Sequence, residues 1–146
     1  MKTLDELLKE LKGIGREIRN VQRACGYDDC SDLSRLDIPM RDADGLFLWD
    51  ELRGVMDKLA DVRATVEYLS LPVQVEGVLR MGKNGRYCLK GTELPCGSPV
   101  EILVTDDDCR DVPYWRPGRI EHNGERYYFT GAKAMSLKGA KARIRG

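Results

Sequence analysis

His122 is the only histidine in the chain. It stands in "GRIEHNGERYYFTG", residues 118–131, directly before Asn123-Gly124. An imidazole changes charge near neutral pH, so it is the first group to test for general acid–base chemistry. That chemistry needs a nucleophile or a metal within hydrogen-bond reach, and the sequence offers only Glu125 across the turn. His122 therefore reads as a structural or solvated side chain. The five cysteines are the next candidates. Cys25-x4-Cys30 is the one close pair, and Cys88, Cys96 and Cys109 are scattered. Tetrahedral zinc takes four converging ligands, usually supplied as two close pairs. The thiols are therefore expected to be free, with no bound metal. "DDDCRD", residues 106–111, has the charge of a calcium loop without its glycine and distal glutamate, and reads as a polar turn. With no glycine-rich phosphate loop and no set of nucleophile, base and oxyanion donor, the expectation is a protein that is not an enzyme and carries no cofactor.

Charged and aromatic side chains form the remaining patterns. Lys9, Lys12, Arg16, Arg19 and Arg23 are spaced 3, 4, 3 and 4, which makes one stripe on the face of the first helix opposite its apolar seam; Asp50, Asp57 and Asp61 face outward on a later one. In "AKARIR", residues 140–145, alternation places Lys141, Arg143 and Arg145 on one face of a strand and Ala140, Ala142 and Ile144 on the other. With Lys133 and Lys138, residues 131–146 hold five basic groups and no acid. Lys12, Arg16, Arg19, Arg23, Lys138, Lys141, Arg143 and Arg145 are thus the candidate nucleic-acid contacts, beside the plainer reading of solvated faces. Tyr87, Tyr114, Trp115, Tyr127 and Tyr128 are more aromatics than a small barrel easily hides. Tyr114, Trp115, Arg119 and Tyr128 are the candidate partner-binding set, although Trp115 beside Pro117 reads equally well as a core plug.

The elements that must position these residues fall into two halves. Residues 1–70 hold 11 basic and 15 acidic residues, whereas residues 71–146 hold 13 and 9. Pro72, which cannot continue a helix, marks the boundary between domains 1–71 and 72–146. In the first, Thr3 and Glu6 fit a capping box. From there Leu4, Leu7, Leu11, Ile14, Ile18, Val21 and Cys25 repeat at three and four, as a coiled-coil seam does. Leu48, Leu52, Val55, Leu59, Val62, Val66 and Leu69 repeat the pattern. Each seam spans three heptads, roughly 33 Å at 1.5 Å per residue. The segment between them is rich in Asp, Gly and Pro, with Ser31 as a candidate cap for a short turn at "DLSRL". An antiparallel hairpin follows, with a homodimer through it as one way to cover its seams. Gly13 and Gly15 fall outside the seam.

After Pro72 the apolar period becomes two. "VQVEGVLRM", "GRYCLKG", "PVEILV", "WRPGRIEH", "ERYYFTG" and "AKARIR" read as strands between Gly, Pro and Asn-Gly turns. Asn84-Gly85 and Asn123-Gly124 each suit a two-residue type I′ hairpin turn. The second register pairs Ile120 with Tyr127 toward the core, and Arg119 with Tyr128 and Glu121 with Arg126 outward. The expected fold is α+β: an antiparallel, coiled-coil-like helical hairpin followed by a small SH3-like barrel.

The series "NGRYCL", "GSPVEILV", "WRPGRIEHNGERYYFTG" and "LKGAKARIR" resembles an uncharacterised bacterial domain family over about residues 76–145. That family is often found on plasmids, phages and integrative elements of Gram-positive bacteria. The resemblance implies a small β domain in a mobile-element setting and supplies no catalytic residues. A hydrophobic content of 42% is that of a globular chain. "TLDELLKELKG" puts carboxylates where a signal peptide needs an apolar stretch, and no run is long enough to span a membrane. With an odd number of thiols, the expected location is the cytoplasm. The leading functional expectation is a non-catalytic adaptor of a mobile element that recognises a protein partner. The alternatives are a nucleic-acid-binding accessory protein and an inhibitor of a host immune nuclease of the CRISPR type.

Overall fold

The computed structural model describes residues 1–27, 33–105 and 112–146. Cys30, Ser31, Cys109 and the rest of the "DDDCRD" stretch lie outside the described residues. Helix α1, Leu4–Cys25, begins as its sequence dictates. The Thr3 hydroxyl accepts from the Glu6 amide at 3.1 Å, and the Glu6 carboxylate accepts from the Thr3 amide at 2.7 Å, which satisfies two donors orphaned at the helix start. Gly26 ends it at φ 75°, a conformation only glycine adopts without strain, and Tyr27 then donates its amide back to Gln22 O at 3.0 Å. Helix α2, Ala43–Ser70, is capped by Asp42, which accepts from the Asp44 amide. It stops before Pro72, whose ring holds Leu71 extended at φ −72°, ψ 142°.

These helices form one compact unit, Met1–Leu71, and run antiparallel. Arg19 in α1 pairs with Glu67 near the end of α2, while Tyr27, just past α1, reaches Asp57 at 2.9 Å further back. The expected seam is not the one that packs. α1 turns Leu8, Leu11, Gly15, Ile18, Gln22 and Cys25 inward, a heptad stripe rotated from the expected one and sharing only Leu11, Ile18 and Cys25 with it. The physical reason lies in Gly15 and Gln22. Gly15 is buried and leaves room for the Arg63 side chain of α2, and Gln22, also buried, donates Nε2 to Met56 O at 3.4 Å. Gly15 therefore belongs to the contact and not outside it. Leu7, Ile14 and Val21 of α1 and Val55, Val62 and Leu69 of α2 stay exposed.

The second unit, Pro72–Gly146, is all antiparallel strand. Its strands are β1 (Val73–Val78), β2 (Arg80–Met81), β3 (Tyr87–Leu89), β4 (Thr92–Glu93), β5 (Ser98–Val104), β6 (Tyr114–His122), β7 (Tyr127–Phe129) and β8 (Lys141–Arg145). They form a five-stranded sheet in the order β1-β8-β5-β6-β7 and a three-stranded sheet in the order β2-β3-β4. Together the two halves give an α+β fold. The SH3-like barrel is not closed: β1 and β7 are free edges of the larger sheet, and among the described residues no ladder joins the two sheets. The break falls at Leu79, whose backbone bonds to Gly139 and Ala140 instead of continuing the strand. Both sheets share one core, in which Leu79, Leu89, Ile102, Ile120, Phe129 and Leu137 are fully enclosed.

Both hairpin turns differ from the two-residue type I′ form. In the first, Gly82 and Arg86 close a three-residue loop, and only Gly85 has positive φ. In the second, the Asn123 amide donates to Arg126 O, so the turn residues are Gly124 and Glu125, with only Gly124 at positive φ. Asn123 Oδ1 accepts from both the Glu125 and Arg126 amides at 2.9 Å, and that is what draws the asparagine out of the turn and into the closing pair. Ile120 consequently pairs with Phe129, Glu121 with Tyr128 and His122 with Tyr127. Each expected pairing is displaced by two residues, which preserves the faces because side chains alternate with period two.

Candidate partner-binding surface

Across β5, β6 and β8, alternation sends Val100, Ile102, Ile120 and Ala142 to the core. Glu101, Leu103, Trp115, Arg119, Lys141, Arg143 and Arg145 go to the opposite face. At the centre of that face is Glu101, whose side chain is only 5% exposed. Arg143 donates Nε to one carboxylate oxygen at 2.6 Å, and Arg145 donates Nε to the other at 2.5 Å. The Arg143 guanidinium also lies 4.3 Å from the centre of the Trp115 ring, a cation–π distance. One carboxylate thus orders two cations and, through one of them, an indole. Outside this cluster, Lys141 is 4.0 Å from Glu76, and the exposed Arg119 stands beside the half-buried Tyr128, which pairs with Glu121.

Trp115, Arg119 and Tyr128 therefore share a face. Tyr114 does not join them: it packs against the core and pairs with Arg116, whose guanidinium also donates to Gly131 O at 2.9 Å. Lys138 lies in the segment before β8. The helical cations are in the other unit. Lys12, Arg16 and Arg19 line a groove of about 440 Å³ with Arg63, Glu67 and Ser70 of α2. The stripe borders α2 instead of facing away from it, since the helix is rotated from the expected seam, and Arg19 is consumed by Glu67. Lys12, Arg16 and Arg23 make no ion pair among the described residues.

A second concavity of the β unit, about 550 Å³, lies between the two hairpins and is lined by Arg86, His122, Arg126, Tyr127, Met81 and Met135, among others. His122 Nδ1 accepts from the Gly124 amide at 3.1 Å, and its ring meets Tyr127 edge-on at 4.6 Å. Glu93 accepts from Arg86 and Asn84, each at 2.7 Å; these hydrogen bonds, that of Arg86 foremost, hold its carboxyl below the ordinary carboxylate range. Among the described residues no cluster of His, Cys, Asp and Glu has metal-binding geometry, and Cys25, Cys88 and Cys96 are free thiols.

Glu101 was not singled out in the sequence, although the signal exists: it is a lone carboxylate in the otherwise uncharged strand "PVEILV". The cleft had no such signal, because its walls come from separate segments. Gly118 and Gly131 also act as a pair. A methyl group on either would approach the Phe129 ring to 2.5 or 2.6 Å, so the two glycines are the slot that holds the ring.

Residues 77–144 match the domain of unknown function DUF5348. The match runs from β1 into β8 and contains the Phe129 slot and the Glu101–Arg143 pair. It agrees with the resemblance of about residues 76–145 to an uncharacterised domain family. DUF5348 does not extend to the helical unit, and no curated protein and no solved structure matches the chain. No helix among the described residues is long and apolar enough to cross a membrane.

Proposed function

We propose that the chain is a non-catalytic interaction protein whose β unit recognises a protein partner through the face carrying Trp115, Arg119 and Tyr128, while its helical unit serves assembly. The observation that carries this reading is the state of Arg143 and Arg145. Both guanidiniums are committed to Glu101, so the face offers aromatic surface and mixed charge, in place of a row of cations ready for phosphates. Aromatic and arginine side chains framed by polar groups are the usual composition of protein-binding patches. A cytoplasmic, mobile-element setting is part of the proposal and comes from the resemblance and the odd number of cysteines.

The test is capture from nuclease-treated host extract with the wild-type chain and with Arg119→Glu/Tyr128→Ser, a pair chosen because neither side chain is in the core. The expected result is a protein recovered near equimolar amount by the wild type and reduced at least tenfold by the variant, with circular dichroism unchanged. Equal recovery by both removes the reading.

A second reading, nucleic-acid binding, draws on Lys12, Arg16 and Arg23, three cations on one helix face that make no ion pair among the described residues. If they neutralise phosphates, log affinity for duplex DNA falls against log salt with a slope of about −2.7, from roughly −0.9 per phosphate. Captured material that disappears on nuclease treatment, with that slope, favours this reading over the first. The inhibitor reading stands on the mobile-element association of the resemblance alone.

A further inference from the structure

We infer that the exposed apolar face of the helical unit is covered by a second copy of the chain, so that two hairpins join as a four-helix bundle. Reading the helical unit as an assembly element is the only part of the proposed function on which this rests.

Each helix carries two apolar stripes. One is spent on the contact between α1 and α2. The other keeps strict heptad spacing in both helices, through Leu7, Ile14 and Val21 and through Val55, Val62 and Leu69. Ile14 is 53% exposed and Val62 48%. Ile18 and Val66, each 7% exposed, belong to both stripes and mark where the second meets the first. In an antiparallel pair, stripes displaced in the same rotational sense from the mutual contact emerge on the same side. On α1 the second stripe sits one residue before Leu8, Gly15 and Gln22, and on α2 it sits one residue before Met56, Arg63 and Ser70. The two stripes therefore form one continuous face.

The geometry specifies the occupant. A seam of period 3.5 matches another helix surface of the same period, because knobs from one fill holes in the other only when the repeats agree. Helices of this chain carry that repeat for three heptads. The area also fits. At roughly 80 Å² for each half-exposed aliphatic side chain, the six residues named above with Leu4, Leu48 and Leu52 supply on the order of 750 Å². That is close to the ~800 Å² per partner of a stable complex. It also exceeds the patch of a few hundred Å² that a monomer ordinarily leaves open.

The experiment is sedimentation velocity on the full chain and on Ile14→Glu/Val62→Glu, with circular dichroism on both. The wild type, 16.5 kDa per chain, is expected at twice that mass at micromolar concentration, and the variant at a single chain's mass with its helicity retained. Should the variant lose helicity, the wild type decides alone: its thermal midpoint rises with concentration for a dimer and is constant for a monomer. A wild-type monomer at about 100 μM, or a dimer that the double substitution leaves intact, overturns the inference. Neither result bears on the β unit's partner, which the Arg119→Glu/Tyr128→Ser capture addresses separately.

Discussion

Glu101 does at the scale of one residue what a hydrophobic contact would do elsewhere on the sheet: it ties β5 to β8. Its cost is the desolvation of one carboxylate and two half-buried guanidiniums, which is recovered only while all three are together. Glu101→Gln leaves two cations facing a neutral amide. The expected loss is about 3–5 kcal/mol, the range for a buried pair broken from one side, measured as a lowered urea midpoint of the β unit. Replacing Glu101, Arg143 and Arg145 together by Leu is expected to cost much less, because no charge is left stranded. A Glu101→Gln midpoint equal to the wild type's would show that the three groups are solvated.

Among the elements, the two helices show both the reach of the sequence and its limit. The capping box and the stop at Pro72 were legible because each rests on local chemistry. The seam was not, because the apolar surface of α1 is wide enough for two phases. Leu11, Ile18 and Cys25 fit either, and choosing Ile14 and Val21 over Gly15 and Gln22 follows hydrophobicity where the structure follows close approach. The hairpins fail for a related reason: an Asn-Gly pair names a turn, but the side-chain oxygen of Asn123 decides which residues occupy its centre. In the second hairpin the strand faces survived this error, since a shift of two preserves alternation; in the first, the three-residue loop closed by Gly82 and Arg86 displaces the pairing by one. In the site, Arg119 and Tyr128 were read onto one surface by that alternation, while Trp115 was read equally as a core plug and as part of the partner-binding set; the capture of Arg143 and Arg145 depends on a partner strand some forty residues away. Gly15 gives the helix-scale prediction. A methyl group there meets nothing nearer than Arg63 Cγ at 4.0 Å, ordinary contact. Gly15→Ala is therefore expected to stabilise the hairpin by up to about 1 kcal/mol through helix propensity, read as a higher thermal midpoint. A lower midpoint would mean that the helices must approach more closely than this space allows.

For the molecule as a whole, the placing of β8 sets an order of events. The strand comes last in the β unit yet lies inside the sheet, between β1 and β5. Until residues 141–145 are present, β1 has no partner in its sheet, and Val75 waits for Ile144 as Ile102 waits for Ala142. Pairings that close loops of about 40 to 70 residues carry an entropic cost before any contact repays it, and such topologies fold in milliseconds to seconds, against microseconds to milliseconds for local helix pairs. The helical pair, linked by residues 26–42, closes a far shorter loop and is thus expected to be complete while the sheet is still searching. Removing residues 140–146 should abolish amide protection at Ile102 and Ile120 in hydrogen exchange while protection within α1 and α2 persists; protection retained at Ile102 would refute this dependence. A chain still being synthesised would therefore hold a finished hairpin and an open sheet edge at β5, so its first encounter with another copy would be helical.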